Sequence, residues 1–165
     1  MSFPLLLLMM TNSSALTVTS PAFEEGQAIP AKFSCSGADI SPELSWNAGP
    51  VGTKSYAVIV EDPDAPGGTF VHWVLFSFKP DPQVARVTLP EAAAGLGREG
   101  QNGFGKTGYG GPCPPPGKPH HYRFHVYATS RDLDGVNSGA SARQLRTALE
   151  GSILAEGVLL GTFKR

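Results

Sequence analysis

The side chains with the clearest chemical potential in this sequence are two aspartates and a histidine that follow one another closely. Asp62 and Asp64 stand in the turn Asp-Pro-Asp-Ala-Pro, and His72 lies early in the next apolar run. Pro63 and Pro66 each fix a backbone dihedral, so the two carboxylates are held with little entropy left to lose. A simpler interpretation is an Asx turn, in which both acids only accept hydrogen bonds from nearby backbone amides.

A second group of reactive side chains follows a proline-rich stretch. His120 and His121 come directly after residues 112–119, five of which are proline. Because successive strand residues point to opposite faces, only one of the two histidines can face a given pocket. His120 shares its face with Tyr122, so that pair is the candidate for ligand binding. Two exposed loop histidines are the alternative.

Two other kinds of site are compatible with these residue types. Asp62, Asp64, His72 and His120 could ligate a metal, because two imidazoles with a carboxylate form a known binding set. A hydrolase would need a nucleophile beside a base, and Cys113 precedes the histidine pair closely in sequence. No nucleophile-elbow pattern surrounds Cys113. We therefore expect a binding protein that is not an enzyme and needs no cofactor.

One glycine-rich stretch carries a misleading pattern. Residues 100–107 fit G-x-x-x-x-G-K-[ST], the phosphate-cradling loop of many nucleotidases. That loop works only between a strand and the N-terminus of a helix. The alanine-rich residues 91–95 do not make a buried strand, and Gly-Tyr-Gly-Gly-Pro after the motif cannot start a helix. Nucleotide binding is therefore not predicted.

The elements that position the candidate residues are predicted to be mainly strands. Residues 55–61 and 69–78 are apolar at nearly every position and rich in β-branched and aromatic side chains. This pattern predicts strands that are covered on both faces. Residues 122–128 alternate and predict a strand with two different faces. Shorter strand candidates lie at residues 17–19, 31–35, 43–46 and 158–163.

A single helix is predicted over residues 142–150. Leu145 and Leu149 are spaced to share one helix face. Ser141 is the predicted N-cap, and Gly151 the predicted stop. Residues 95–111 contain eight glycines and predict a long loop, since each glycine adds backbone entropy that folding must remove.

Composition limits the classes of partner and the cysteine chemistry. The chain has 165 residues, 16% of them charged, and a formal net charge of -1, so no global charge draws it to nucleic acid. Its only cysteines are Cys35 and Cys113. A chain of this size does not need a disulfide framework, and we expect free thiols. If they bond, the loop before Asp39 is tied to the proline-rich loop.

The N-terminus carries an apolar run, Leu5 to Met10. The run is too short for a transmembrane helix. It also lacks the basic flank of a signal peptide, because no Lys or Arg precedes Lys32. We expect a short extension over residues 1–15 and a cytoplasmic location, with periplasmic or secreted export as the alternative. The run is apolar enough to cover an interface in a homodimer.

The motifs occur in a characteristic order: Asp62-Pro-Asp-Ala-Pro66, His72-Trp73, the glycine-rich loop, Pro-Pro-x-Gly and His120-x-Tyr122. This order resembles the phosphatidylethanolamine-binding protein family, in its bacterial and archaeal Raf kinase inhibitor-like branch. Residues 16–23, 40–46 and 105–110 are also similar to that branch. The likeness covers residues 16–165, which we take as one domain of this family.

The resemblance implies a mainly β fold, an antiparallel Greek-key β-sandwich with one or two short helices. It also implies a small pocket at one end for phosphate-like or carboxylate-like anions. Gly111-Pro112 is the alternative to Cys113-Pro114 as a pocket wall, and His121 stands where the family often has Arg. The ligand-binding residues that the resemblance implies are Asp62, Asp64, His72, Cys113, Pro114, His120 and Tyr122.

The partners that the resemblance implies are a phosphate or phospholipid head group and, as regulatory targets, a protein kinase or a serine protease. The resemblance also makes a homodimer an expectation.

Overall fold

The described part of the chain, residues 15–165 of a computed structural model, forms two antiparallel sheets and one α-helix. The helix α1 spans Ala142–Leu149, and a short 3₁₀-helix spans Ala31–Phe33. The strands are β1 (Leu44–Asn47), β2 (Ser55–Asp62), β3 (Phe70–Phe78), β4 (Arg86–Leu89), β5 (Arg98–Glu99), β6 (His120–Thr129) and β7 (Ile153–Phe163).

The larger sheet has the strand order β5-β3-β2-β6-β7, and the smaller sheet pairs β1 with β4. All these pairings are antiparallel. β2 lies in the middle of the larger sheet, between β3 and β6. This position explains its unbroken apolar run, since both of its faces are covered. The predicted mainly β, antiparallel fold with one short α-helix is confirmed.

Two hydrophobic cores lie on opposite faces of the larger sheet. On one face Val58 and Phe124 pack with Trp46 of the smaller sheet, which makes this core the interior of the sandwich. On the other face Ile59 packs with Leu145 of α1. Val58 and Ile59 are neighbours in β2, so the period-2 geometry of a strand sends them to different cores.

Helix α1 begins and ends where its sequence signals place it. The Ser141 side chain accepts a hydrogen bond from the Gln144 backbone N–H, and the Gln144 side chain accepts one from the Ser141 backbone N–H, which completes a capping box. Leu145 and Leu149 are buried against the sheet. The chain turns at Gly151, which has a φ of 71°.

Several short elements differ from their sequence-based predictions. Residues 31–35 are not a strand, because backbone N–H groups of Phe33 and Ser34 turn back to the carbonyls of Pro30 and Ala31, which makes a 3₁₀ turn. Residues 17–19 contribute only an isolated bridge at Thr19. β4 was not predicted at all, since a four-residue strand carries almost no periodicity.

The expectation of free thiols is wrong, because Cys35 and Cys113 form a disulfide. Their segments are already held together by the backbone, where the Cys35 N–H donates to the Pro112 carbonyl at 3.1 Å. The Gly111 N–H also donates to the Asp39 carboxylate, at 2.7 Å. Their Cα atoms are 5.4 Å apart, a separation that a disulfide spans readily. Because the two cysteines are 78 residues apart in the sequence, their proximity could not be predicted from it.

None of the helices within residues 15–165 is both long and apolar enough to cross a membrane. The apolar run Leu5 to Met10 lies outside the described residues, as does all of the predicted extension except Ala15. The homodimer interface expected there is therefore still a prediction.

Candidate functional site

A cavity of about 100 Å³ opens where β2 ends and β6 begins. It brings together five of the seven predicted ligand-binding residues. Its lining consists of Asp62, Ala65, Phe70, His72, Phe104, Cys113, Pro114, Pro115 and His120.

Asp62 is the last residue of β2, and its carboxylate is committed at both oxygens. Oδ1 accepts the Asp64 backbone N–H at 2.8 Å, and Oδ2 lies 2.7 Å from Nδ1 of His120. Only 3% of Asp62 is exposed. A carboxylate at this distance fixes the His120 tautomer by accepting Nδ1–H, which leaves Nε2 for another partner.

His72 lies on β3, and its ring is fixed in a similar way. Its Nδ1 is 2.7 Å from the carbonyl oxygen of Gly110. A carbonyl can only accept, so Nδ1 carries the proton and Nε2 is left uncommitted. Burial lowers the pKa of His72, more than the Gly110 carbonyl and the Asp62 carboxylate raise it. The ring is therefore neutral at neutral pH.

Tyr122 lies behind the cavity and is not one of its lining residues. It is fully buried on β6, and its ring centroid is 5.2 Å from that of His72. Burial and the negative charge of Asp62 raise the pKa of Tyr122, so the hydroxyl keeps its proton. That hydroxyl makes no hydrogen bond of good geometry among residues 15–165, although it lies near the Asp62 carboxylate. An unpaired buried hydroxyl is costly, and it is often a sign of a ligand or water that completes the site.

Asp64 is also absent from the lining, because it pairs with the other histidine. Its Oδ2 accepts the His121 backbone N–H at 2.9 Å and lies 2.6 Å from the ring Nδ1 of His121. The His121 ring lowers the pKa of the Asp64 carboxyl through this contact. The pair holds the Asp-Pro-Asp turn against β6, outside the cavity. His120 and His121 thus face opposite ways, as strand alternation requires.

The aromatic part of the wall was not predicted from the sequence. Phe104 comes from the glycine-rich loop, and its ring centroid is 4.7 Å from Phe70 and 5.6 Å from His72. Asn102 shapes this loop, because its Oδ1 accepts the backbone N–H groups of Phe104 and Lys106. The sequence signal that could have identified Phe104 was a large apolar side chain within a glycine-rich loop. Phe104 is 45% exposed.

The opposite wall is formed by Cys113 and Pro114. The disulfide to Cys35 holds this wall to the segment after the 3₁₀-helix. Gly111, the alternative wall position, is not in the lining. A Cβ on Gly111 would come within 2.2 Å of the Phe33 carbonyl oxygen, so the chain needs glycine for this close approach.

The alternative sites proposed from the sequence find less support. No group of three His, Cys, Asp or Glu side chains suited to a metal occurs in the part of the chain that the structure describes. The loop that resembles a nucleotide-binding motif folds back on itself through a bridge between Gln101 and Thr107, and the next element after it is the strand β6 and not a helix. As long as Cys113 is bonded to Cys35, it offers no thiolate for nucleophilic attack.

Comparison with known proteins places this geometry in a family. The model of the family described as phosphatidylethanolamine-binding protein matches residues 19–164. A UPF0098 protein of Aquifex aeolicus is 41% identical over 152 residues, which cover 91% of this chain and 89% of that protein.

Two solved structures have the same fold. The crystal structure of a phosphatidylethanolamine-binding protein homolog from Chlamydia trachomatis matches with a TM-score of 0.81 and 38% identity, over 93% of this chain and 99% of that one. YbcL of Escherichia coli matches with a TM-score of 0.81 and 32% identity, over 92% and 99%. The resemblance seen in the motifs is thereby confirmed, and the chain belongs to the phosphatidylethanolamine-binding protein family.

Proposed function

We propose that this protein binds a small anion, of the phosphate or phospholipid head-group class, in the cavity between β2, β3 and β6. Its family makes it a small-ligand-binding protein. The observation that carries the anion assignment is the pair of lining imidazoles, His72 and His120. Each has Nδ1 committed to a protein acceptor, so each leaves Nε2 for a ligand: Nε2 donates to an anion when the ring is protonated, and accepts from a protonated ligand oxygen when the ring is neutral.

The buried Tyr122 hydroxyl supports the same proposal. It is a donor next to His72 that makes no well-aligned hydrogen bond in the described chain, so a ligand oxygen can compete with the nearby Asp62 carboxylate for its proton. Phosphate and carboxylate groups have several acceptor oxygens and can therefore accept the hydrogen bond that this hydroxyl can donate. The site's own acceptor, the carboxylate of Asp62, is already used by other groups. A phosphate that keeps one proton can also donate it to the Nε2 of a neutral imidazole.

We place the role in binding and not in catalysis. The cavity lining contains no Ser or Thr, and the sulfur of Cys113 is held in a disulfide. The carboxylate of Asp62 is occupied at both oxygens, so it is poorly placed to act as a general base. A regulatory action on a kinase or a serine protease is implied by family resemblance and is still a prediction.

The disulfide also bears on the compartment. Cytosolic thiols are kept reduced in most organisms, so a stable Cys35–Cys113 bond favours an oxidising compartment over the cytoplasmic location expected from the sequence. Alkylating intact cells before lysis tests this point. Alkylation of Cys35 and Cys113 without added reductant would restore the cytoplasmic expectation.

The binding proposal is tested by titrating the protein with inorganic phosphate and with phosphoethanolamine and measuring Kd by calorimetry. The variant His120→Ala should weaken binding at least several-fold, because it removes one of the two free Nε2 groups. His121→Ala is the matched control, since its ring pairs with Asp64 outside the cavity. Equal affinity in both variants, or no binding by the wild type at millimolar ligand, would overturn the proposal. Far-UV circular dichroism verifies that each variant is folded.

A further inference from the structure

The cavity lacks a permanent cation of its own. Its lining includes the carboxylate of Asp62 and two histidines, but no Lys or Arg. His72 is neutral at neutral pH because of its burial. An anion that enters would therefore meet one negative charge and no fixed positive charge, which disfavours binding in a partly desolvated site.

One guanidinium contacts a residue that lines this cavity. Nη1 of Arg165 is 3.4 Å from the sulfur of Cys113, which is a lining residue. The pairing of β6 with β7 explains this position, because Phe163 of β7 lies opposite His120. Arg165 follows two residues after the end of β7. The register of the two strands thus brings the end of β7 beside the start of β6, and Arg165 lies against Cys113 there.

The hydrogen-bonding capacity of Arg165 is largely unused. A guanidinium has five N–H donors, whereas a disulfide sulfur is a weak acceptor. Arg165 takes part in none of the ion pairs formed within residues 15–165. By contrast, Arg146 is bound to the Glu61 carboxylate at 3.0 Å. Arg165 is therefore available to a ligand without first breaking a strong contact.

We propose that Arg165 is the cationic contact for the anion, reaching over Cys113 to bind ligand oxygens while His72 and His120 bind from inside. This inference rests on the proposed function. It also narrows the ligand class. A planar guanidinium fork matches two oxygens of one phosphate or carboxylate group, so the ligand presents at least two such oxygens at the pocket mouth.

The geometry also explains how the site tolerates Asp62. That carboxylate is needed to orient His120, and its charge would otherwise repel the ligand. A cation beside Cys113, with no ion pair to Asp62, offsets this repulsion without competing for that carboxylate. The buried carboxylate of Asp62 thus orients His120, and the exposed guanidinium of Arg165 attracts the ligand.

The test measures phosphate affinity by calorimetry at low ionic strength for the wild type and three variants. Arg165→Gln should raise Kd roughly tenfold, the usual scale for a charge-assisted contact. Arg165→Lys should recover part of this loss, since it keeps the charge but not the fork. The control Lys164→Gln removes the same charge from the neighbouring residue and should change Kd less than threefold.

Two results would overturn this proposal in distinguishable ways. If the wild type binds phosphate and Arg165→Gln binds no worse than Lys164→Gln, the cavity is an anion site and Arg165 has no part in it. If the wild type does not bind phosphate, the proposed function fails together with this inference. Arg165 is exposed, so Arg165→Gln is expected to fold, and its thermal unfolding midpoint should match that of the wild type.

Discussion

At the scale of residues, the four histidines of the described chain divide into two pairs with different surroundings. His72 and His120 line the cavity, each with Nδ1 held by an oxygen acceptor. His121 pairs with Asp64 outside the cavity, and His125 lies 3.3 Å from the Glu61 carboxylate on the α1 side of the sheet. On β6, alternation of the strand faces separates His120 from His121 and His125. On β3, His72 lies between Val71 and Trp73 at the register shift with β2, and this irregularity lets it face the cavity.

Anion affinity should depend on pH through the cavity histidines. Burial depresses the pKa of His72, so the ring is neutral at pH 8 and gains a proton only as the pH falls. An anion favours the protonated ring, and by linkage protonation strengthens anion binding. Sulfate is a clean probe because it does not titrate between pH 8 and pH 5.5. Calorimetry should show a Kd for sulfate that falls several-fold as the pH is lowered from 8 to 5.5, and a flat profile would refute anion binding by a protonated imidazole in this range.

Glu61 is a second residue whose ionisation should matter, in this case for stability. Its carboxylate lies against His125 and Arg146, and these contacts lower its pKa from 4.5 to about 2, His125 contributing most, although burial opposes the shift. Because the folded-state pKa is depressed, the stabilisation is complete above about pH 4.5 and is lost as the pH falls toward 2.

Glu61→Gln should therefore lower the free energy of unfolding by about 1–3 kcal/mol at pH 6, since it leaves Arg146 without its anion. The difference from the wild type should shrink as the pH is lowered through 4 to 2.5. Urea denaturation at each pH measures it, with the exposed Glu24→Gln as the control. A difference that does not change with pH would contradict the linkage.

At the scale of elements, the structure shows why some predictions succeeded. β2 and β3 were predicted because burial on both faces leaves an unbroken apolar run, and α1 because Ser141 and Gly151 mark its ends. The prediction of a strand at residues 31–35 was wrong, because residues 31–33 form a 3₁₀-helix. That helix depends on local backbone turns, and the residue types of Phe33 and Cys35 do not indicate such turns.

The cavity residues that could be predicted are those marked by local sequence, and the ones that were missed depend on long-range contacts. Asp62, His72 and His120 could be found because each belongs to a short motif at a strand end. Phe104 and the disulfide could not, because they depend on where a long loop folds in space. Asp64 was in the right turn, but its pairing with His121 draws it away from the cavity.

The disulfide is the element-scale feature with the largest expected effect on stability. It closes a loop of 78 residues, for which chain entropy gives about 4–5 kcal/mol of stabilisation. The double variant Cys35→Ser/Cys113→Ser should lower the free energy of unfolding by a similar amount in urea denaturation. The wild type under strong reductant should behave like the variant. Equal stability of the reduced and oxidised protein would contradict a structural role for the bond.

At the scale of the whole molecule, attraction of an anion must be local. The formal net charge is -1, so the protein as a whole neither attracts nor strongly repels a phosphate. The two sheets form the rigid frame of the protein. The site lies at one end of this frame, where strand ends and three loops meet. The same frame is shared with the solved relatives over nearly their whole length.

The most direct test of the account is a side-chain nitrogen NMR spectrum of the four histidines during a phosphate titration. The account predicts saturable shifts of Nε2 in His72 and His120, with those of His121 and His125 unchanged. The two outer histidines thus serve as internal controls for pH and for non-specific binding. Shifts at all four rings alike, or at His121 alone, would contradict an anion site in this cavity.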